Sequence, residues 1–454
     1  MIKETARRMA IHMLTRVEVE GAYANLLLQK NIPRLTDSRD RQFVTLLVNG
    51  VLKHRLTLDY ALRRHLSKPM SSLPHEVRAI LRIGALQILY VDKVPPAVAI
   101  NESVELAKEY PKFTGLVNVV LRRVMEKGWD IPWPDLKREP VRYLSIRYSH
   151  PEWMIQRWLK RWGAEETEAF CKVNNEPAQT WIRTNTLKIS RESLRDRLTN
   201  EGVTVELGDR VPESLKIQDF GALEQLESFQ EGLFTVQDES SQLVAHVLDP
   251  KPGQSVLDAC SAPGGKSTHL AQLMLNKGEI LAFDIHDHKL ELIEQLARKL
   301  GITIIQPQFG DARDLPGIRL ESQDRVLVDV PCSGLGVLRR RADLRWQKEE
   351  LDLQELPSLQ FAILERAASC VKEGGALVYS TCTTEPEENF ELVKKFRTSH
   401  PEFEPVDLMD ELPFTLGETR DIQQASKGMI QLLPHRHGMD GFFLAKFRRT
   451  SQKV

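Results

Sequence analysis

The sequence predicts a multidomain chain with an all-α N-terminal domain, a small α+β middle domain and a C-terminal α/β domain of Rossmann-like type. Three observations predict it. From Thr5 to Lys127 apolar residues recur at spacings of three and four, the period of helices packed on a core. From about Arg142 to Gly232 short strand-like runs surround one helical stretch, and from Leu233 onward apolar runs alternate with helices as in a doubly wound sheet. The expected domains are residues 1–134, 142–232 and 233–450.

In the first domain Met9, Met13, Leu14 and Val17 form one stripe. Phe43, Leu46, Leu47 and Val51 form a second, and Val77, Ile80, Leu81, Leu86 and Leu89 a third. Pro33, Pro69, Pro74, Pro95 and Pro96 divide the helices, because proline lacks an amide hydrogen and fixes φ. Basic residues gather at Arg7 and Arg8, at 53–55, at 63–65 and at Arg122 and Arg123. Residues 1–130 carry 21 Lys and Arg against 13 Asp and Glu, net +8, leaving 41 against 50, net −9, for the rest. That asymmetry points to a polyanionic partner if the clusters share one face. A solvated helical surface accounts for the charge equally well.

Residues 128–135, G-W-D-I-P-W-P-D, mix proline with tryptophan and read as a linker packed against its neighbours. The middle domain, RRM-like in outline, opens with Trp153, Trp158 and Trp162 on a helical pattern. Core packing accounts best for these tryptophans, and stacking on RNA bases is the alternative. T-W-I-R-T-N, a helix over 190–200, V-T-V-E-L and S-L-K-I-Q follow. In the third domain S-V-L-D-A, E-I-L-A-F-D, T-I-I-Q, R-V-L-V-D-V and A-L-V-Y-S-T are strands, with helices over 289–300 and 353–371, and G-F-F-L-A-K-F is a last strand.

At 454 residues the chain contains no run near the roughly 18 apolar residues of a membrane span. Its start, M-I-K-E-T-A-R-R, carries charge where a secretory signal needs an apolar core, so a cytosolic protein is expected. Five cysteines without a C-x-x-C pair argue against a disulfide scaffold and against structural zinc, and no metal is expected.

Two of those cysteines follow strands: Cys332 in V-L-V-D-V-P-C-S-G and Cys382 in A-L-V-Y-S-T-C-T. Ligands of open α/β sheets collect beyond the carboxyl ends of the strands, so two thiols on two such ends can face one reacting atom. Buried packing is the commoner fate of a single cysteine. Asp329, three residues before Cys332, and the small-residue turn from Cys260 through Ser261, Ala262, Pro263, Gly264 and Gly265 to Lys266 favour a site.

That turn precedes a helix starting near Ser267, and small residues there allow close approach of a ligand. Asp284 follows Gly265 by nineteen residues, near the spacing at which a carboxylate meets ribose hydroxyls. Asp311, after the third strand, is placed to receive an amino group such as that of adenine. A P-loop needs glycine where Cys260 stands, and G-x-G-x-x-G is absent. S-adenosylmethionine, which needs no pyrophosphate cradle, fits best.

The set C-S-A-P-G-G-K, A-F-D, G-D-A, D-V-P-C-S-G and S-T-C-T resembles the Nol1/Nop2/Sun family of RNA (cytosine-5) methyltransferases, and with the helical N-terminus its bacterial Sun/Fmu-type 16S ribosomal RNA branch, whose first domain is NusB-like. The resemblance spans essentially the whole chain. Ser261, Val330 and Thr383 are small departures from the usual spelling, and R-R-R-A-D at 339–343 is a larger one. The resemblance implies a class I methyltransferase domain, S-adenosylmethionine bound by residues 260–266 with Asp284, Asp311 and Asp329, and methylation of cytosine C5. It implies that Cys382 is the nucleophile, that Cys332 assists product release, that Asp329 recognises the base and that Lys266 helps fix cofactor and base. The implied partner is naked or partly assembled 16S rRNA, met by a monomer. Residues 339–341, just past Cys332, are placed to grip phosphates beside the target, with a solvated surface as the second reading. A non-catalytic RNA-binding factor and a P-loop-like nucleotidase are the rivals.

Overall fold

In the computed structural model, which describes residues 5–451, the chain forms two compact units. One is Met1–Pro177 with Leu338–Glu350, the other Ala178–Val337 with Leu351–Val454. Residues 1–4, part of the argument against a secretory signal, lie outside the described residues. Among the described residues no helix is long and apolar enough to cross a membrane.

The first unit is helical. Helices Ala6–Glu20, Ser38–Arg63, His75–Tyr90, Pro96–Ala107 and Thr114–Lys127 share one apolar core containing Met9, Met13, Leu47, Val51, Ile80 and Leu86. Pro96 opens a helix rather than breaking one, since the first helical turn has no use for its missing amide. One stripe residue is corrected: Leu46 is 43% exposed, and Ser38–Arg63 instead buries Val44, Leu47, Val48 and Val51, the spacing that keeps one face inward. The unit also takes in helices Pro140–Tyr148, Glu152–Trp162 and Ala164–Val173. Trp158, 1% exposed, packs edge-on against Phe170 at 4.8 Å and is a core residue.

Residues 338–350 leave the second unit to complete this core. Buried Arg345 donates to the carbonyls of Lys53, Ser149 and Asn174 and to Asn175 Oδ1, and Trp346 Nε1 donates to Leu52 O at 2.9 Å. Asp343 accepts from Ala24 N at 3.1 Å. Arg339 is buried, while Arg341 lies over the Tyr23 ring and 3.5 Å from Asp343. Two of the three arginines expected to grip phosphates are therefore engaged within the helical unit.

The second unit holds two sheets. Strands β1 (Thr180–Thr184), β2 (Thr204–Leu207), β3 (Ser214–Gln218) and β4 (Phe234–Val236) form an antiparallel sheet in the order β2-β3-β1-β4. Helix Arg191–Asn200, capped by the Ser190 hydroxyl, supplies Leu194 and Leu198 to its core. The larger sheet comprises β5 (Ser255–Asp258), β6 (Glu279–Asp284), β7 (Ile305–Phe309), β8 (Gln323–Asp329), β9 (Val371–Thr381), β10 (Phe403–Pro405), β11 (Met429–Leu432) and β12 (Phe442–Arg449). Its order is β10-β12-β9-β8-β5-β6-β7, with β11 beside β12. The strands from β5 to β9 are parallel and β12 is antiparallel to β9, a mixed sheet with apolar clusters packed against it. β7 starts two residues later than T-I-I-Q suggests and includes Pro307, which an edge strand tolerates.

Candidate active site at the strand ends

The chain winds outward from β5 through β6 and β7 on one side and through β8 and β9 on the other. The order therefore reverses between β5 and β8, the place where such sheets open a ligand crevice. In register, Asp329 of β8 lies opposite Ser380 of β9, so the two strands deliver their following loops side by side. Cys332 and Cys382 meet there, Sγ to Sγ, at 3.2 Å. Gly336 N donates to Cys382 O at 3.0 Å and Gly441 N to Gly336 O at 2.9 Å. A side chain on Gly336 would collide with the Gly441 and Cys382 carbonyls, so this crossing requires glycine.

A buried carboxylate ties the two loops from behind. Glu388 accepts from Ser333 N at 2.9 Å and Gln360 Nε2 at 2.8 Å, and also from the Ser333 hydroxyl, which itself pairs with the Thr383 hydroxyl at 2.7 Å. Burial raises the Glu388 carboxyl above its usual range despite those donors. Sequence reading missed Glu388, because in T-E-P-E-E-N it is one of several acids that read as solvated surface. Glu385 is buried as well, and it is the bonds to Ser333 and Gln360 that distinguish Glu388.

Beside the thiols, Lys266 Nζ lies 2.6 Å from Asp329 Oδ2, and Asp329 Oδ1 accepts from the Ser380 hydroxyl at 2.6 Å. Burial opposes charge on Lys266, but Asp329 outweighs it and the amine is raised, so it stays an ammonium. The hydrogen bond with Cys382, burial and the charges of Cys382, Glu388 and Asp329 hold the Cys332 thiol well above its usual range. Cys332 is thus kept protonated. Cys171 and Cys370 are fully buried.

The small-residue turn leaves β5 at Asp258 and enters helix Gly265–Leu273, two residues earlier than expected. Gly264 sits at φ +99°, a backbone that L side chains rarely adopt, and packs on Ile293. Ser261 holds the turn to β6 by donating its amide and hydroxyl to Phe283 O at 2.8 and 2.9 Å. Asp284, at the end of β6, accepts from Ala262 N at 3.3 Å and His286 N at 2.9 Å. Asp311 is gripped by Arg313, whose side-chain hydrogen bonds keep the carboxyl below its usual range. Burial, together with Asp258, Asp329, Asp284 and Asp311, raises the Cys260 thiol, so four carboxylates surround this turn. A polyphosphate would face repulsion there, and the P-loop-like lysine is already paired with Asp329. The nucleotidase rival is set aside on both grounds.

Two further groups lie apart from the thiols. Glu213 Oε1 accepts from His246 Nε2 at 2.9 Å and from His269 Nε2; their ligand atoms lie within 4.8 Å of one another, so the three could hold a metal ion. Helix Gly265–Leu273 supplies His269, and the pairing joins it to the residue preceding β3. In the helical unit, several basic side chains expected to meet a polyanion are engaged internally. Arg7 lies 3.5 Å from Glu102, Arg8 pairs with Glu109, Lys53 donates to Glu176 O and Arg55 to Glu18. Residues 63–64, Arg122 and Arg123 remain exposed.

Three family profiles match the chain. "16S rRNA methyltransferase RsmB/F" matches residues 245–448, "NusB family" matches 4–126, and "Methyltr_RsmF/B-like, ferredoxin-like domain" matches 150–224. A Bacillus subtilis (strain 168) protein named "Probable ribosomal RNA small subunit methyltransferase B" is 40% identical over 457 residues, covering 99% of this chain and 100% of that protein. The "Ribosomal RNA small subunit methyltransferase B" of Pectobacterium carotovorum subsp. carotovorum (strain PC1) is 31% identical, covering 97% of each chain. Among solved structures, that of PH0851 matches with a TM-score of 0.80 at 29% identity, covering 99% of this chain and 100% of its own. NSun6 from Pyrococcus horikoshii, crystallised with SFG, matches with a TM-score of 0.59 at 26% identity, covering 66% of this chain and 99% of its own. With a NusB-like helical domain, a ferredoxin-like middle and a methyltransferase sheet ending in paired thiols, the chain belongs to the 16S rRNA methyltransferase RsmB/F family.

Proposed function

We propose that this rRNA methyltransferase modifies C5 of a cytosine, with S-adenosylmethionine as methyl donor and a Cys382–C6 bond as the covalent intermediate. The observation that carries this reading is the 3.2 Å approach of Cys332 and Cys382 beside the Lys266–Asp329 pair. Cytosine C5 is a weak nucleophile, and addition of a thiolate at C6 makes it enamine-like. One thiol suffices for attack. A second, kept protonated beside it, suits the return step.

Residues 260–266 fit the cofactor. The carboxylates around the turn suit a cationic ligand, Asp284 suits ribose hydroxyls, and Asp311, sharing its charge with Arg313, suits an amino group. Gly264, at φ +99° and packed on Ile293, fixes the course of the turn. When bound, S-adenosylmethionine supplies the methyl group. The SFG in the NSun6 structure, an analogue of that cofactor, supports the same choice.

In this reading the Cys382 thiolate adds to C6, while Asp329, oriented by Lys266 and Ser380, recognises the base by accepting from the exocyclic amine, and the Lys266 ammonium beside it offsets the charge that develops on the ring. After methylation the C5 proton leaves to a base, the S–C6 bond breaks, and its electron pair returns to Cys382. Cys332 assists this release. Residues 1–134 and 142–232 hold the RNA around the target, and 233–450 carry the reaction. The target base must leave its stack to reach the thiols. We place the reaction in the cytosol, on naked or partly assembled small-subunit RNA, by a monomer.

Denaturing electrophoresis of the chain with 16S rRNA and S-adenosylmethionine tests the division of labour. Cys382→Ala should abolish methylation and adducts, whereas Cys332→Ala should accumulate RNA attached through Cys382. Adducts with Cys382→Ala and none with Cys332→Ala would reverse the assignment. A product other than 5-methylcytosine would end the C5 reading.

A further inference from the structure

The segment G-W-D-I-P-W-P-D, which the reaction does not use, builds an aromatic surface on the helical unit. Its backbone runs along the end of helix Ser38–Arg63: Pro132 O accepts from Tyr60 Oη at 2.9 Å, and Asp130 O from Arg64 Nη1 at 3.1 Å. Trp133 stacks on Tyr60 with centroids 6.1 Å apart and on Trp129 at 6.5 Å. Tyr90 meets Trp129 edge-on at 4.9 Å, and the Arg147 guanidinium lies 5.7 Å from Trp129 and 5.0 Å from Trp133. Trp129 is held by these contacts and is still 44% exposed. A large ring fixed in place with much of its surface open to water is a platform for another flat group.

Cations border the platform. Trp129 follows helix Thr114–Lys127 by two residues, and Arg123 and Lys127 stand one turn apart on the end of that helix. Burial and the charges of Arg64, Arg123 and Lys127 together lower the His65 imidazole, with Glu126 opposing, so cations from two helices converge here. With Arg147 they outnumber the nearby acids Glu126 and Asp130. Aromatic faces edged by cations suit bases and phosphates, and an aliphatic protein partner would find little to bury.

We propose that this surface binds an unpaired nucleotide of the rRNA substrate, its base stacked on Trp129 and the adjoining phosphates on Arg64, Arg123 and Lys127. The inference rests on the reading of ribosomal RNA as substrate and is independent of which atom is methylated. It transfers the stacking role once open to Trp153, Trp158 and Trp162, of which Trp158 is sealed in the core, to a tryptophan of the linker.

The test is equilibrium binding of transcribed 16S rRNA to the full chain without S-adenosylmethionine, across a series of salt concentrations. Trp129→Ala should weaken binding about tenfold, as expected for loss of one stacked base, and Trp129→Phe should restore most of it. Arg123→Glu combined with Lys127→Glu should flatten the salt dependence by about 0.7 in log–log slope for each phosphate that is no longer neutralised. If Trp129→Ala lowers the melting temperature, the charge-reversal pair, on exposed side chains, decides the matter. Unchanged affinity and salt slope in the charge-reversal variant overturn the proposal. Wild-type protein yielding no 5-methylcytosine, with RNA binding still dependent on Trp129, would refute the C5 reading and leave the surface standing.

Discussion

Cys332 Sγ lies 3.2 Å from Cys382 Sγ, although fifty residues of chain separate them. A disulfide needs about 2.05 Å, so the two sulfurs are a small movement from a covalent bond. Two-electron oxidation by diamide would join them, the two thiol protons and two electrons passing to the N=N bond of the diamide to give the hydrazine. Methyl transfer should then stop and return on addition of dithiothreitol. Peptide mapping should find the Cys332–Cys382 link, and inactivation without that link would contradict the geometry.

Glu388 should govern activity without touching substrate. From the loop after Cys382, its carboxylate serves two donors of Ser333, in the loop after Cys332, and one of Gln360, on helix Asp352–Ala368. Glutamine offers one oxygen and an NH2 group facing a donor, a mismatch costing about 1–3 kcal/mol at a buried site. Glu388→Gln should lower the melting temperature and reduce kcat about 10- to 100-fold through misplaced thiols, and Glu388→Asp should lie between. Wild-type kcat in Glu388→Gln would show that the loops hold themselves.

Asp258 predicts a pH dependence. Burial, with Asp329 nearby, raises its carboxyl from 3.8 to about 7, and burial raises Glu239 to about 7 as well. Between these limits the folded chain holds protons that the unfolded chain releases, so stability declines as pH rises from about 4 towards 7. Asp258→Asn, which cannot ionise, should remove its share of that decline and leave the share of Glu239. Melting curves at pH 5 and 7.5 provide the measurement. Parallel pH profiles for the variant and wild type would rule out a raised Asp258.

The elements of the site were legible because each lies at the end of a short apolar run bounded by small or polar residues. Asp329 with Cys332, Cys382, Asp284 and the turn at 260–266 can be located in this way, and their strands lie within a few residues of the expected places. Short elements escaped: β4 and β10 have three residues each and β11 four, too few for a period to emerge. Arg339 was misjudged because exposure cannot be read from charge. Arg339 is buried in a unit whose helices come mostly from the first 177 residues.

The sequence by itself determined the alternation of helix and strand, the residues standing at each strand's carboxyl end, and the resemblance that named the reaction. Those are local properties, set by side-chain period and backbone preference within one element. The tertiary structure alone decided that β8 lies between β5 and β9, which brings Lys266 to Asp329 and Cys332 to Cys382. It also decided that Glu388 is buried, and that Trp129 remains open while Trp158 is sealed. Contacts between residues fifty or more apart depend on the order in which strands and helices pack, and no period within a single element carries that order.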